Sequence, residues 1–236
     1  MYEMHTRVRY TELDEYGKLS IGSLVDLLQD TSTFHSEDLQ VGYQYLQEKG
    51  LVWMVSFWQI VIDRMPKFLE HIAVGTAAYE FTPAFGMRNF AVKDEAGKYL
   101  VKANSYWVMV NRNTGHPVRI PKEEAEPYKI EKKLDMDYAP RKIAIPEEQI
   151  QLDALTVCRH HLDTNLHVNN GQYIKIALEQ LPAKIDIGEL RVEYRRQAIL
   201  GDVIVPWISE EEDRYVVELS NEEKKPYAVA AFYKKR

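Results

Sequence analysis

Apolar residues recur at helical spacing in two separate stretches of this chain. In the first stretch they are Ile21, Leu24, Val25 and Leu28. In the second they are Tyr173, Ile174, Ala177, Leu178 and Leu181, and Pro182 follows. Positions three and four apart share one face of an α-helix, and proline cannot continue a helix. We therefore predict two helices, the second beginning near Asn169 or Asn170.

After each predicted helix the pattern changes to runs of strand-forming residues. The predicted strands are 52–62, 72–81, 88–93, 99–110, 189–199, 203–209, 214–220 and 227–234. Three of the gaps between them, 94–97, 111–115 and 200–202, contain glycine together with Asp or Asn, which favour turns. A long helix followed by antiparallel strands indicates an α+β fold in which a sheet wraps around a central helix.

The two halves of the chain begin alike. When Asp14 is placed on Asp163, a shift of 149 residues (163 minus 14), apolar positions of one half fall on apolar positions of the other, as Leu13 does on Leu162. A structural unit that occurs twice in one chain produces this kind of correspondence.

The segment between the halves is rich in proline. This segment, residues 112–150, contains Pro117, Pro121, Pro127, Pro140 and Pro146. Proline lacks a backbone donor and interrupts regular hydrogen-bond ladders, so we expect an irregular excursion here. The predicted organisation is an N-terminal domain at 1–120, a linker at 121–150 and a C-terminal domain at 151–236.

Polar side chains are concentrated just ahead of the second predicted helix. Asp163, Asn165 and His167 occupy alternate positions, so they would share one side if the segment were extended. A carboxylate, an amide and an imidazole facing one volume could carry acid–base chemistry. The backbone N–H groups at a helix start, here Asn169 and Asn170, suit a developing oxyanion. Taken singly, Asn169 could equally be a helix cap and His167 a turn residue.

These residues carry a resemblance to a known family. The run LDTNLHVNNGQY at 162–173 and the later VEYRR at 192–196 resemble the acyl-acyl-carrier-protein thioesterases. The similarity extends over nearly the whole chain, including 10–14 and 17–20. It implies a tandem double hotdog, each half an antiparallel sheet wrapped around a central helix. The residues that the resemblance makes catalytic are Asp163, Asn165 and His167.

One position departs from the family pattern. Plant members follow the Glu-Tyr-Arg-Arg strand with a Glu of their catalytic network, whereas this chain has Gln197 there. Gln197 can orient a water or donate to an oxyanion, but it has no titratable group and cannot accept a proton. On a continuous strand Glu193 would share its face but lie roughly 13 Å away, too far to substitute. The proton-accepting role then falls to Asp163 or His167.

The simplest scheme that these groups allow is attack of water on a thioester carbonyl, without a covalent enzyme intermediate. We assign Asp163 to orienting or deprotonating the water and His167 to acid–base work. Asn165 and the amides of the helix start would polarise the carbonyl.

Two other chemistries have less support. Cys158 offers a nucleophile, but a lone buried cysteine is more often an apolar filler, and on a strand it would face away from Asp163. No metal or other cofactor is expected, because the neighbouring His160 and His161 would point to opposite faces of a strand.

The first half keeps Asp14 but has Tyr16 and Lys18 where the second has Asn165 and His167. We therefore expect the first half to be catalytically silent. The resemblance assigns it the enclosure of the acyl chain. Its candidate substrate-binding residues are Trp53, Phe57 and Trp58. Aromatic residues at strand spacing are also ordinary core residues.

Composition narrows the class of protein. The 236 residues are 45% hydrophobic and 28% charged, which suffices for one large or two modest cores. No apolar run approaches the ~20 residues of a membrane span, and the start of the chain does not resemble a signal peptide. A single cysteine excludes an intrachain disulfide and favours the cytoplasm. The net charge of -6 argues against binding to nucleic acid.

The resemblance implies acyl carrier protein as the partner, and hydrolysis of its fatty acyl thioester in fatty acid biosynthesis as the activity. An acyl-CoA thioesterase and a noncatalytic acyl-binding hotdog protein are the alternatives. Because carrier proteins are acidic, docking requires a local basic patch. The candidates for it are Arg141, Lys142, Arg191, Arg195, Arg196 and the tail 234–236. Tandem hotdogs satisfy their pairing internally, so we expect a monomer or a homodimer.

Overall fold

The structure, a computed structural model, describes residues 1–182 and 185–235. The chain forms two compact units. Unit 1 comprises Met1–Ser56 and Ile60–Tyr138, and unit 2 comprises Phe57–Gln59 and Ala139–Arg236. Within the described ranges no helix is both long enough and apolar enough to cross a bilayer.

Unit 1 combines one long helix with an antiparallel sheet. Its helices are α1 (Ile21–Asp38), α2 (Tyr43–Glu48) and α3 (Lys122–Ala125). Its strands are β1 (Tyr2–Arg7), β2 (Leu51–Ile62, apart from 57–59), β3 (His71–Phe81), β4 (Gly86–Asp94), β5 (Tyr99–Asn111) and β6 (Pro117–Val118). The strand order is β1-β3-β4-β5-β2, and β6 pairs with β5.

The helix α1 follows the predicted pattern. Its N-cap is Ser20, whose hydroxyl accepts a hydrogen bond from the Ser23 N–H (3.1 Å), which satisfies one of the unpaired donors of the first turn. Leu24, Val25 and Leu28 are completely buried, and α1 contacts β3. Complete burial of such a side chain stabilises the fold by about 1.5–3 kcal/mol, so the apolar face holds α1 against the sheet.

Unit 2 repeats the arrangement with a shorter helix, α4 (Asn170–Leu178). Its strands are β7 (Ile150–Gln151), β8 (Leu155–Thr156), β9 (Ile187–Tyr194), β10 (Val203–Glu210), β11 (Arg214–Ser220) and β12 (Pro226–Lys234). The strand order is β9-β12-β11-β10-β7, and β8 pairs with β10. Ile174 and Ala177 of α4 are completely buried, and α4 contacts β11 and β12.

The strand predicted at 189–199 is shorter than expected, because β9 ends at Tyr194. The N–H groups of Arg195 (2.8 Å) and Arg196 (3.1 Å) both donate to the carbonyl of Tyr227. Two successive donors on one acceptor cannot continue a regular ladder. Gln197 therefore lies beyond the strand, and the expectation that it shares a strand face with Glu193 was wrong.

The proline-rich segment is largely irregular. After α3 and a 3₁₀ turn at Glu126–Tyr128, no helix or strand forms before β7, and all of these residues are described. Apolar side chains anchor it: Tyr128 packs with Val41 and Ala78. Ile143 is likewise buried in the core of unit 2. Burial at separated points holds an irregular chain in place without a ladder of its own.

Candidate active site

Residues 162–168 form a tight turn, so Asp163, Asn165 and His167 are not aligned along an extended segment. The N–H of Asp163 donates to the carbonyl of His167 (2.8 Å). The Asp163 carboxylate causes the turn, because Oδ1 accepts hydrogen bonds from the backbone N–H groups of Asn165 (2.7 Å) and His167 (3.3 Å). An Asp that bonds to backbone donors a few residues further on favours a turn over a strand.

The turn still gathers the polar groups that alternation would have aligned. The amide nitrogen of Asn165 donates to Oδ2 of Asp163 (3.4 Å), so the carboxylate and the amide are in contact. His167 is half-buried. The backbone of His167, rather than its imidazole, is the part that bonds to Asp163.

The imidazole of His167 has one feature that ordinary side chains avoid. Its Nδ1 is buried and has no hydrogen-bond partner among the residues that the structure describes. Leaving a buried polar atom unpaired costs about 1–3 kcal/mol. Such groups are uncommon in folded proteins, and a catalytic role is one of the explanations known for them. The hydrogen bonds between described residues therefore do not account for the imidazole of His167.

The start of α4 lies directly after the turn, as predicted. Asn169 is its N-cap, and its Oδ1 accepts from the Gly171 N–H (2.8 Å). The N–H of Asn169 donates to the carbonyl of His161 (2.8 Å). The helix-cap reading of Asn169 is thus confirmed. The oxyanion role of Asn169 and Asn170 stays a prediction, and the backbone N–H of Asn169 already donates to His161.

The segment after β9 lies beside the turn through its backbone. The carbonyl of Ala198 accepts from the Val168 N–H (2.9 Å), and Ile199 forms a β-bridge with His167. Gln197 is exposed and precedes Ala198 directly. The structure therefore brings the chain at Gln197 next to the turn, while its catalytic role stays a prediction.

The Tyr173 hydroxyl is a positioning group that sequence reasoning missed. It accepts a hydrogen bond from the Ala198 N–H (2.8 Å), so it ties the segment beside the turn to α4. Burial raises the pKa of this phenol, which keeps it neutral. The only signal in the sequence was a tyrosine within an apolar helix face, and that pattern alone indicates core packing.

The stretch before the turn also differs from expectation. Cys158 is exposed rather than buried, and β8 ends before it. A 3₁₀ turn follows at Arg159–His161, in which Nδ1 of His161 accepts from the Cys158 N–H (3.0 Å). The rings of His160 and His161 are 4.1 Å apart, so they do not point to opposite faces of a strand. No cluster of three or more metal-ligating side chains exists in residues 1–182 and 185–235.

Two of the arginines proposed for docking already have carboxylate partners. Arg195 pairs with Glu193 (2.8 Å) and Arg191 with Glu189 (2.6 Å). Glu193 is buried and also accepts from the Ile143 N–H (3.2 Å), so it holds the irregular segment on the sheet. In the tail, Lys234 pairs with Glu210 (3.1 Å); position 236 lies outside the described residues.

The aromatic residues predicted to bind substrate are packed in the fold. Phe57 and Trp58 are completely buried. Trp53 is half-buried, and its ring centroid is 6.3 Å from that of Phe81. Packing of this kind agrees with a core role, and a role in enclosing an acyl chain stays a prediction.

Unit 1 contains the same turn at 13–19. The N–H of Asp14 donates to the carbonyl of Lys18 (2.8 Å). The Asp14 Oδ1 accepts from the N–H groups of Tyr16 (2.9 Å) and Lys18 (2.9 Å). Ser20, which caps α1, corresponds to Asn169 at the shift of 149 residues. The predicted duplication is therefore confirmed down to individual hydrogen bonds.

Two helix-on-sheet units, each with this turn at the start of its main helix, define a tandem hotdog protein. Profiles described as the Acyl-ACP thioesterase N-terminal domain and the Acyl-ACP thioesterase C-terminal domain match residues 1–128 and 145–232. The chain belongs to the acyl-acyl-carrier-protein thioesterase family.

Individual relatives agree with this assignment. The chain is 30% identical over 220 residues to the chloroplastic palmitoyl-acyl carrier protein thioesterase of Gossypium hirsutum, a match covering 84% of this chain and 52% of that protein. The chain thus spans about half the length of the curated relatives it matches. An acyl-ACP thioesterase structure from Bacteroides thetaiotaomicron superposes with a TM-score of 0.89 at 25% identity, covering 99% of this chain and 97% of that one.

The fold is also shared with a solved structure of lower sequence identity. The 12:0-ACP thioesterase of Umbellularia californica superposes with a TM-score of 0.86 at 20% identity, covering 99% of this chain and 96% of that one. At this identity the likeness concerns the fold alone.

Proposed function

We propose that the protein hydrolyses the thioester of fatty acyl-acyl-carrier protein and releases free fatty acid in fatty acid biosynthesis. Family membership supports this class of reaction. The single structural observation that carries the proposal is the buried Nδ1 of His167, which has no hydrogen-bond partner in the part of the chain that the structure describes. A buried nitrogen without a partner calls for an explanation, and a catalytic role is one of those known for such groups.

In the proposed reaction, water adds to the thioester carbonyl and forms a tetrahedral oxyanion. His167 accepts the proton from the water, the oxyanion collapses, and the carbon–sulfur bond breaks. The proton then passes to the departing thiolate, so the products are a carboxylic acid and a thiol. General acid–base catalysis of this kind contributes about 10²–10⁴-fold.

Among the remaining groups, Asp163 acts first as a positioning residue. Its Oδ1 holds the backbone of Asn165 and His167, as Asp14 does in the unit that lacks the imidazole. Asn165 polarises the carbonyl and Gln197 orients the water, each through hydrogen bonds rather than proton transfer. A preorganised donor at a developing oxyanion is worth about 2.7–4 kcal/mol.

The test is release of fatty acid from a panel of acyl-carrier-protein thioesters of graded chain length. We expect release well above the blank without enzyme, and loss of it in a double variant with Asp163→Ala and His167→Ala. Full activity of the double variant would refute the site. If the enzyme prefers acyl-coenzyme A in side-by-side kinetics, then acyl-coenzyme A and not the acyl-carrier protein is its substrate.

Gln197 favours one other function, the binding of acyl groups without turnover. The family pattern has a carboxylate at this position, and an amide cannot take its proton. Tight binding of a fluorescent acyl thioester, with no product released at any chain length, would support this alternative. If Gln197→Glu then gained activity, the missing carboxylate at this position would explain the absence of turnover. For the proposed enzyme we further propose a cytoplasmic location and a monomeric or homodimeric state.

A further inference from the structure

Leu166 occupies a backbone conformation that the turn requires but that does not require leucine. It lies between Asn165 and His167 with φ 62°, in the left-handed region that the Cβ of leucine disfavours. Its relative exposure is 71%, so burial of the side chain does not compensate for the strained backbone. The corresponding position in the turn of unit 1 is Gly17, with φ 73°. Glycine therefore suffices to build this turn.

Two further apolar residues are exposed on the chain segment beside Leu166. Ile199 and Leu200 are each 51% exposed, and Ile199 forms a β-bridge with His167. We call Leu166, Ile199 and Leu200 the turn patch. Exposed apolar groups that cluster beside a reactive site are typical of interaction surfaces.

The charge around the turn patch differs from that of the matching surface in unit 1. Segments 158–169 and 195–202 contain three arginines against two aspartates. The corresponding segments 9–20 and 63–70 contain four cations against five carboxylates. Arg159 and Arg196 are exposed. Arg195 is paired with Glu193 (2.8 Å), so the surroundings of the turn patch are close to neutral. In a chain of net charge -6, they still suit an acidic partner better than the acidic surface of unit 1 does.

We propose that the turn patch is the docking contact for the body of the acidic carrier protein that presents the acyl thioester. This inference rests on the proposed function. The acyl chain itself needs an enclosed apolar pocket, whereas the turn patch is exposed surface. The thioester must also reach His167, and the turn patch is exposed apolar surface next to that residue.

The first test removes the Leu166 side chain and compares two substrates with the same acyl group. One substrate is the acyl-carrier protein, and the other is the acyl-pantetheine thioester, which lacks the protein body. We expect Leu166→Gly to lower the ratio of kcat/KM on the first to kcat/KM on the second roughly tenfold, as loss of one apolar contact predicts. A ratio that stays at the wild-type value would overturn the proposal.

Leu69 provides a matched control. It is a second exposed leucine (52%) with positive φ (63°), in the segment of unit 1 that corresponds to the one around Gly201. The N–H of Leu69 donates to Val8 (3.1 Å) as that of Gly201 does to Val157 (3.0 Å). Leu69→Gly relieves the same backbone strain away from His167. We expect it to leave the substrate ratio unchanged, and an equal fall in both variants would refute docking at the turn patch.

The second test concerns the charge of the partner. Leu166→Asp and Leu166→Lys both remove the apolar side chain but place opposite charges at the turn patch. An acidic partner predicts weaker binding to Leu166→Asp than to Leu166→Lys, with a difference that shrinks as salt is added. Equal affinities of the two variants would overturn the proposal.

Affinity for the carrier protein, measured by fluorescence anisotropy, separates this inference from the proposed function. Binding that weakens in Leu166→Asp supports docking even if no hydrolysis is detected, and the failure then belongs to the proposed activity. Hydrolysis by the wild type with the same affinity in all Leu166 variants refutes the docking surface alone.

Discussion

The turns at 13–19 and 162–168 share a backbone and differ in their chemistry. Asp14 and Asp163 each accept two backbone hydrogen bonds within their turn. What changes is the pair of residues that the aspartate holds: Tyr16 and Lys18 in unit 1, Asn165 and His167 in unit 2. The aspartate is thus explained by the turn itself. The proposed chemistry arises from the amide and imidazole that the second turn presents.

The residues just before the two turns also form equivalent hydrogen bonds with different side chains. In unit 1 the Glu12 carboxylate accepts from the Arg9 N–H (2.7 Å), and in unit 2 Nδ1 of His161 accepts from the Cys158 N–H (3.0 Å). Desolvation, followed by the charge of neighbouring His160, lowers the pKa of His161, which maintains Nδ1 as an acceptor. A carboxylate and a neutral imidazole therefore perform one structural task, so a histidine near the site is not by itself a catalytic residue.

The largest effect should come from removing the imidazole that unit 1 lacks. We expect His167→Ala to lower kcat about 10²–10⁴-fold, the range of general acid–base catalysis. Lys18→Ala, at the matching position of unit 1, should leave kcat unchanged. Steady-state hydrolysis of acyl-carrier protein measures both. Similar losses in the two variants would mean that the turns do not differ in function.

Asp163 can be separated into its structural and chemical roles by two substitutions. Asp163→Asn keeps an oxygen acceptor for the N–H groups of Asn165 and His167 but cannot accept a proton. We expect it to stay within about tenfold of wild-type kcat, while Asp163→Ala, which releases the turn, falls roughly 100-fold because misplaced groups react poorly. If the Asn variant is as inactive as the Ala variant, Asp163 itself is the base.

The matched substitution in unit 1 tests whether the aspartate stabilises the turn. Asp14→Ala should cost about 1–2 kcal/mol of unfolding free energy, as loss of a side chain that satisfies backbone donors does. Its kcat should be that of the wild type. Denaturant titration and kinetics on one preparation give both values. A large loss of activity at unchanged stability would contradict a silent first turn.

Unit 1 should also show a pH dependence that its turn does not cause. Burial, and then the charge of Arg88, lower the pKa of His35 from 6.5 to about 4, and Nη2 of Arg88 lies 2.7 Å from its Nδ1. The unfolded chain therefore binds this proton first, so stability should fall as pH drops from about 6.5 to about 4. Thermal denaturation across this range should show the slope, and His35→Gln, which retains an acceptor for Arg88, should flatten it.

The smallest effect concerns the left-handed position of each turn. Gly17→Leu places leucine where unit 2 has Leu166, and a Cβ at Gly17 would meet no atom within 4 Å. Its cost should therefore be conformational only, about 1–2 kcal/mol. Leu166→Gly should change stability by less than that, because relief of strain is offset by the entropy of an added glycine. Denaturant titration of both variants measures their free energies of unfolding. A much larger loss in Gly17→Leu would indicate a steric clash and would contradict an open turn.

Several features of this protein could be predicted from local sequence. The period of apolar residues located α1 and α4, because one face of each must be buried. The same reasoning located most strands of both sheets, and a polar residue before the apolar run located the cap at Asn169. These features depend on neighbours within a few residues, so a linear pattern contains the information needed.

Other features required the folded chain. The strand β9 ends at Tyr194 because its next two N–H groups meet the carbonyl of Tyr227, and Ala198 then bonds to the hydroxyl of Tyr173. The sequence around Gln197 does not indicate that Tyr227 and Tyr173 are the partners. The turn at 162–168 is intermediate. Asp163 makes it through local hydrogen bonds, whereas the alternation of polar residues would align them only on an extended segment.

By itself the sequence determined where the two repeated units begin, which helix faces are buried and which residues could carry chemistry. The tertiary structure decided which of those residues are occupied by hydrogen bonds within the fold. It assigned Asn169 and His161 to hydrogen bonds, left Nδ1 of His167 without a partner among the described residues and exposed Leu166 beside it. The physical reason is that the spacing of residues encodes burial, whereas the pairing of each polar atom depends on partners that only folding brings together.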